Sequence, residues 1–550
     1  MKNILFKALL TCGLLFIVSC VNNNQYDLII KNGMVYDGSG TEPYEADIGI
    51  NADSIEVIGD LSSATAKKYV DAEGKAVSPG FINILSWATE SLFEDGRSFS
   101  NIYQGITLEV FGEGVSMGPR NEEMKKDRNN YNWTTLNEYL EYLTEQGISP
   151  NVASFVGATT LRIHEVGYND RPATDQELQN MKDLVRLAME EGALGIGSSL
   201  IYAPAFYAST EELIELNKVA AEYDGMYISH LRSEGNKLLE SIDELITIAE
   251  QAGIRAQIYH LKAVGEQNWH KIDLAIAKID SANNAGLEIS ADMYTYPAGA
   301  TGLNAAMPPW VQEGGFNAWR NRLQDPEIRQ RVLREMRNPT DDWENYFYST
   351  GPDRMLLVGF RNDELKKYTG KTLIEVAAER GTSPAETVLD LVIEDRSRVE
   401  TIYTFMSEEN VRKKIRQPWM SFETDAASVA PEGKFLESNV HPRAYGTFSR
   451  LLGKYVRDEK VITLQEAIRR ITTLPASKLK IQKRGALKEG YFADLVIFDP
   501  ETIQDHATFS EPHQLSTGII HVFVNGKQVL ENEKHTGETP GRVVYGPGKK

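Results

Sequence analysis

From Tyr26 to about Val77 the apolar residues come in short runs cut by turn residues. Leu28-Ile29-Ile30, Met34-Val35-Tyr36, Ile48-Gly49-Ile50 and Ile55-Glu56-Val57-Ile58 are separated by Asn-Gly, Gly-Ser-Gly and Asn-Ala-Asp sequences, the punctuation expected between β-strands. The same style returns at the far end, in Ala493–Phe498 and in Val522–Val529 with its Asn525-Gly526 turn. Two strand-rich ends around a long middle predict one small β-sandwich, built from residues 26–77 and 481–550. The middle, 78–480, alternates apolar strands with amphipathic helices. Strand-like runs occur at 151–156, 226–229 and 255–259, and helix-period stretches at 175–191, 211–223 and 238–252. Such alternation predicts an α/β fold, a TIM-like (β/α)8 barrel ahead of a doubly wound sheet. Residues 302–350, with Trp310, Trp319 and Trp343, break the alternation and read as a helical insertion that could act as a lid.

The strongest apolar run lies at the start. Lys2 and Lys7 precede and flank Ala8–Val18, too short for the roughly 20 residues that cross a bilayer but suited to the core of a secretory signal. It ends in Ile17-Val18-Ser19-Cys20, which is similar to a bacterial lipobox, and a polar stretch follows. The expectation is a signal peptide over 1–19, lipid on Cys20, a tether over 20–25, and a protein anchored to a bacterial membrane on its periplasmic or cell-surface side. Cys12 and Cys20 are the two cysteines of the chain. A mature protein beginning at Cys20 has no disulfide, no thiol nucleophile and no thiolate zinc site.

Composition narrows the field further. With 41% hydrophobic and 25% charged residues the chain can bury a large core. Its 58 basic and 78 acidic residues give a net charge of −20, which repels phosphate backbones and argues against nucleic acid as a partner.

Chemistry concentrates at predicted strand ends. His230 closes Met226–His230 and His260 closes Arg255–His260. Glu113 sits in a Gly112-Glu113-Gly114 turn after Ile106–Phe111, and Asp425 follows Trp419–Thr424. Strand C-termini of a barrel converge on one mouth, and two imidazoles with two carboxylates suit a borderline metal such as zinc with one position left for water. Each residue also has a plain structural role open to it. A strand-end His can bond a backbone carbonyl, Glu113 can be a turn residue, and Asp425 can cap a helix.

Several blocks carry a resemblance: Tyr26–Gly33, Val77-Ser78-Pro79-Gly80-Phe81-Ile82, Gly192–Tyr202, Ser229–Glu234, His441–Phe448 and Gly490–Val496. Together they resemble the amidohydrolase superfamily and, within it, the N-acyl-D-amino-acid deacylases. The resemblance implies a metal-bearing barrel, a sandwich made from both ends, and hydrolysis of a linear amide in an N-acyl amino acid with a free carboxylate. It implies one divalent ion, zinc being the metal the donors suit, held by Glu113, His230 and His260, with Asp425 as acid/base. Lys262, Tyr294 and Arg443 match positions that hold the substrate carboxylate. The sequence departs from the family at the first barrel strand, where Leu85 and Trp87 replace two metal-binding His. That departure leaves room for a non-catalytic carboxylate-binding lipoprotein. A dipeptidase or a cyclic-amide hydrolase on the same scaffold is the other alternative.

Overall fold

The computed structural model describes residues 25–126 and 132–550. The predicted signal, Cys20 and nearly all of the tether therefore lie outside the described residues. Eight strands form the barrel: Phe81–Asn83 (β1), Ile106–Phe111 (β2), Asn151–Ser154 continued by Val156–Gly157 (β3), Gly195–Ser199 (β4), Met226–His230 (β5), Arg255–Ile258 (β6), Ile289–Met293 (β7) and Met420–Phe422 (β8). All neighbours pair in parallel from β1 to β8. The ring closes where Asp425 N donates to Leu85 O at 3.1 Å and Trp87 N to Ala426 O at 3.0 Å.

The helices form where the sequence pattern and the caps agree. Asp175–Glu190 starts with Thr174 and Glu177 bonding each other's backbone amides, and Thr210–Ala221 starts with the Ser209 hydroxyl on Glu212 N, each cap satisfying donors that the first turn leaves open. Leu238–Ala252 buries Leu238, Ile242, Leu245, Ile248 and Ala249 on one face and ends at Gly253 with φ +64°, the left-handed stop that glycine makes easy. Each large aliphatic on that face contributes roughly 1.5–3 kcal/mol by leaving water.

The two chain ends meet in one mixed sheet of nine strands. Its centre is the antiparallel pairing of Ala76–Pro79 with Leu495–Phe498, and residues from both ends, such as Ile30, Ile48, Val77, Leu495 and Phe523, share one core. The hairpin of Ile519–Val524 and Lys527–Glu531 turns at Asn525 (φ +50°) and Gly526 (φ +75°), the left-handed pair that Asn-Gly favours.

The insertion is larger than the helical stretch expected over 302–350. That span holds short helices, including Phe316–Arg322 and Pro326–Arg337, but it is only the first part of a unit whose core reaches to Met406. The unit has its own antiparallel sheet, ordered Gly299–Gly302, Glu400–Tyr403, Met355–Gly359, Lys371–Thr372, and its own apolar core containing Leu333, Val388 and Leu391. Among the described residues no helix is long and apolar enough to cross a membrane.

Candidate active site

Four barrel segments deliver the predicted chemistry to one mouth. Glu113 leaves β2 between two glycines that the backbone requires: Gly112 (φ +108°) and Gly114 (φ +69°) are left-handed, and a Cβ on Gly112 would lie 2.4 Å from Phe155 O. His230 is the last residue of β5. His260 lies two residues beyond β6 with φ +35°, a strained conformation for a non-glycine residue. It is held there because its N–H donates to the Asp292 carboxylate, which Gln257 Nε2 fixes from the other side at 2.6 Å.

The three side chains meet closely. Glu113 Oε1 is 3.1 Å from His230 Nδ1 and 3.0 Å from His260 Nε2, and the two nitrogens are 3.0 Å apart. All three residues are buried, at 2–4% exposure, and among the described residues they are the one His/Cys/Asp/Glu group compact enough to hold a metal ion. A carboxylate and two imidazoles around a single point fit a divalent metal of the zinc type. Burial by itself would raise the Glu113 carboxyl, but hydrogen bonds and charge from His230 and His260 outweigh it and hold the group well below the carboxylate range. Burial and Lys262 oppose charge on His260, yet Glu234 and Glu113 overcome both and raise it to about 10.

Glu234 was not singled out from the sequence. Its Oε1 lies 3.1 Å from His260 Nδ1 and accepts from Lys262 Nζ at 2.7 Å, while its Oε2 is 3.6 Å from His230 Nε2. One carboxylate thus holds the His260 imidazole by a hydrogen bond, as such a group does around a metal, and stands behind His230 as a charge 3.6 Å away. The signal for it was the His-x-x-x-Glu spacing from His230. The insertion reaches the same point: Glu344 accepts Glu234 N at 2.9 Å, and Tyr346 OH donates to Glu234 at 3.4 Å.

Asp425, with φ +44°, faces the triad across the mouth. Its Oδ2 is 2.7 Å from Arg443 Nη1, so it pairs with the guanidinium and does not cap a helix. Burial pushes its carboxyl up and Arg443 pulls it down, leaving it above the usual range. Glu423, two residues earlier, is fully buried, its carboxyl oxygens find no hydrogen-bond partner among the described residues, and the group is driven well up by burial with Asp425 and Asp292 adding to it. The guanidinium carbon of Arg443 lies 4.5 Å from the centre of the Tyr294 ring, and Lys262 Nζ lies 5.8 Å from it on the other approach. Lys262 and Arg443 are each 4% exposed, so neither is a solvated surface charge. Lys262 is also 2.6 Å from His260 Nδ1. Trp87, read from the sequence as the loss of a ligand, donates from Nε1 toward both Glu113 Oε2 and Asp425 Oδ1, each at 3.1 Å.

Known proteins resemble this chain along nearly its whole length. The profile of the amidohydrolase family matches residues 305–530. A D-aminoacylase of Alcaligenes xylosoxydans xylosoxydans is 31% identical over 95% of this chain and 98% of its own length. The structure of N-acyl-D-glutamate deacylase from Bordetella bronchiseptica, complexed with zinc and a phosphonate mimic of the tetrahedral intermediate, superposes with a TM-score of 0.79 at 28% identity, covering 95% of this chain and 100% of that one. A structure of D-aminoacylase described as having a binuclear metal centre, with one-metal activation and second-metal attenuation, superposes with a TM-score of 0.78 at 30% identity, over 94% and 100% of the two chains.

Proposed function

The chain belongs to the amidohydrolase family, among the D-aminoacylases, and from this membership and the site geometry we propose that it hydrolyses the amide bond of N-acyl-D-amino acids with a single divalent ion, zinc, held by Glu113, His230 and His260. The observation that carries the reading is the triangle of one carboxylate oxygen and two imidazole nitrogens, 3.0–3.1 Å apart, facing a base paired with a buried arginine. When bound, the ion supplies Lewis acidity toward the scissile carbonyl and lowers the pKa of water.

The rest of the work falls to the protein. Asp425 accepts the proton of the attacking water and returns it to the leaving amine. Burial raises its carboxyl and the paired Arg443 opposes that rise, the two influences that set how readily it gives and takes the proton. Arg443, Tyr294 and Lys262 receive the substrate carboxylate through charge and hydrogen-bond donors. That contact fixes the amide over the triangle and converts a bimolecular encounter into an oriented one. Burial of these groups removes competing water and strengthens each charge interaction.

Leader and anchor complete the reading. Export and lipid attachment through Cys20 rest on the apolar run Ala8–Val18 and the residues before Cys20; radiolabelled palmitate entering the wild type but not Cys20→Ser tests them. The activity is tested by assaying zinc-loaded, chelated and reloaded protein on N-acyl-D-amino acids, their L-enantiomers, dipeptides and cyclic imides. Zinc-dependent release of amino acid from the D-series supports the proposal, and turnover that survives chelation or favours dipeptides or rings refutes it.

A further inference from the structure

This inference rests on the one-ion reading above and concerns the residue that breaks the first-strand pattern. Trp87 stands at the mouth, 37% exposed, with its indole Nε1 3.1 Å from Glu113 Oε2 and 3.1 Å from Asp425 Oδ1. The other oxygen of each carboxylate is already engaged: Glu113 Oε1 with the two imidazoles, and Asp425 Oδ2 with Arg443. Two carboxylate oxygens directed at one point repel each other unless a cation or a donor lies between them. The indole N–H is that donor. It carries no lone pair and cannot bind a metal.

Its seat is firmly built. Trp87 N donates to Ala426 O, and Leu85 O accepts from Asp425 N, so the indole and the carboxylate it meets are fixed through the same pair of paired segments. The Leu85 side chain is fully buried in a core with Ile82, Val110 and Tyr259 and brings no donor atom to the mouth. We propose that the Trp87 N–H is a positioning donor that bridges Glu113 and Asp425 where a second cation would otherwise sit. It thereby aims Asp425 for proton transfer and limits the centre to one ion.

The test uses the full chain as wild type, Trp87→Phe and Trp87→His, dialysed against zinc from equimolar to large excess. Metal content is read by elemental analysis, and kcat and KM are measured separately at equimolar zinc. The wild type is expected to hold one zinc per chain throughout. Trp87→Phe, which keeps an aromatic ring but no donor, should lose kcat about 10- to 100-fold through misplacement of Asp425, with KM nearly unchanged. Trp87→His offers a third donor beside Glu113 Oε2 and Asp425 Oδ1 and should take up a second zinc in excess metal, three protein ligands being enough. Two ions in the wild type would overturn the proposal while leaving the hydrolase reading intact, and that measurement does not depend on either variant folding. A Trp87→Phe with wild-type kcat, or a Trp87→His that stays at one ion, would overturn it too. No zinc in the wild type would instead remove the reading beneath it.

Discussion

The position of Glu113 depends on a glycine in another strand. Gly197, in the middle of β4, lies against the turn that carries Glu113, and a Cβ there would come 2.0 Å from Gly112 O, where real Cβ atoms keep at least 3.0 Å. Gly197→Ala must therefore move the Gly112 peptide by about 1 Å, in a turn so tight that Phe155 O lies 2.4 Å from where a Gly112 Cβ would stand. The shift passes to the next residue, Glu113, whose Oε1 has to stay in register with two nitrogens 3.0–3.1 Å away. Metal–ligand distances tolerate about 0.2 Å, and a 1 Å misplacement costs about 100-fold in rate, or roughly 2.7 kcal/mol. Gly197→Ala is expected to weaken zinc binding and lower kcat/KM by about that factor, while overpacking lowers stability by about 1–3 kcal/mol. Chelator competition gives the affinity, steady-state kinetics the rate, and denaturant titration the stability. Gly59→Ala, which adds a Cβ with nothing within 4 Å, is the inert control. A Gly197→Ala protein that binds zinc and turns over within about threefold of wild type would refute the chain of contacts.

Further outcomes follow from the same geometry. The double variant His230→Ala, His260→Ala removes two of three donors and should purify without zinc under conditions that load the wild type; unchanged metal content would dissolve the site. Glu234→Gln keeps its shape but loses the charge behind both imidazoles, and zinc affinity should fall about 10- to 100-fold, read by chelator competition. Arg443→Met takes away the cation that pulls the Asp425 carboxyl down. A base works only when ionised, so raising its pKa moves the acid limb of the kcat/KM profile to higher pH, and KM should rise with it; an acid limb that stays in place would show that Asp425 is not the titrating base.

Much of the site could be read from strand ends. His230, His260, Glu113 and Asp425 were visible because parallel strands of one barrel finish at one rim, whatever their spacing in the chain. Glu234 was not, because it lies in a loop after β5 and acts only through the imidazoles it backs. Trp87 was seen as a missing ligand, since a sequence shows that an indole cannot bind metal but not that its N–H points between two carboxylates. The helices at 175–190, 210–221 and 238–252 followed their apolar period to within two residues. The strands of the insertion escaped, because Gly299–Gly302 finds its partner Glu400–Tyr403 about a hundred residues later and neither is apolar enough to announce a strand alone.

The junction of Ala76–Pro79 with Leu495–Phe498 also sets an order on how the molecule can be made. The first strands to leave the ribosome present an open hydrogen-bonding edge until nearly the whole polypeptide has been translated, because the segment that covers it comes so late. Closing so long a loop is slow, and an open strand edge invites pairing with a neighbouring chain in the meantime. Overproduction at high temperature should therefore give inclusion bodies seeded at this edge, and a chain cut before Leu495 should aggregate even though its barrel residues are all present.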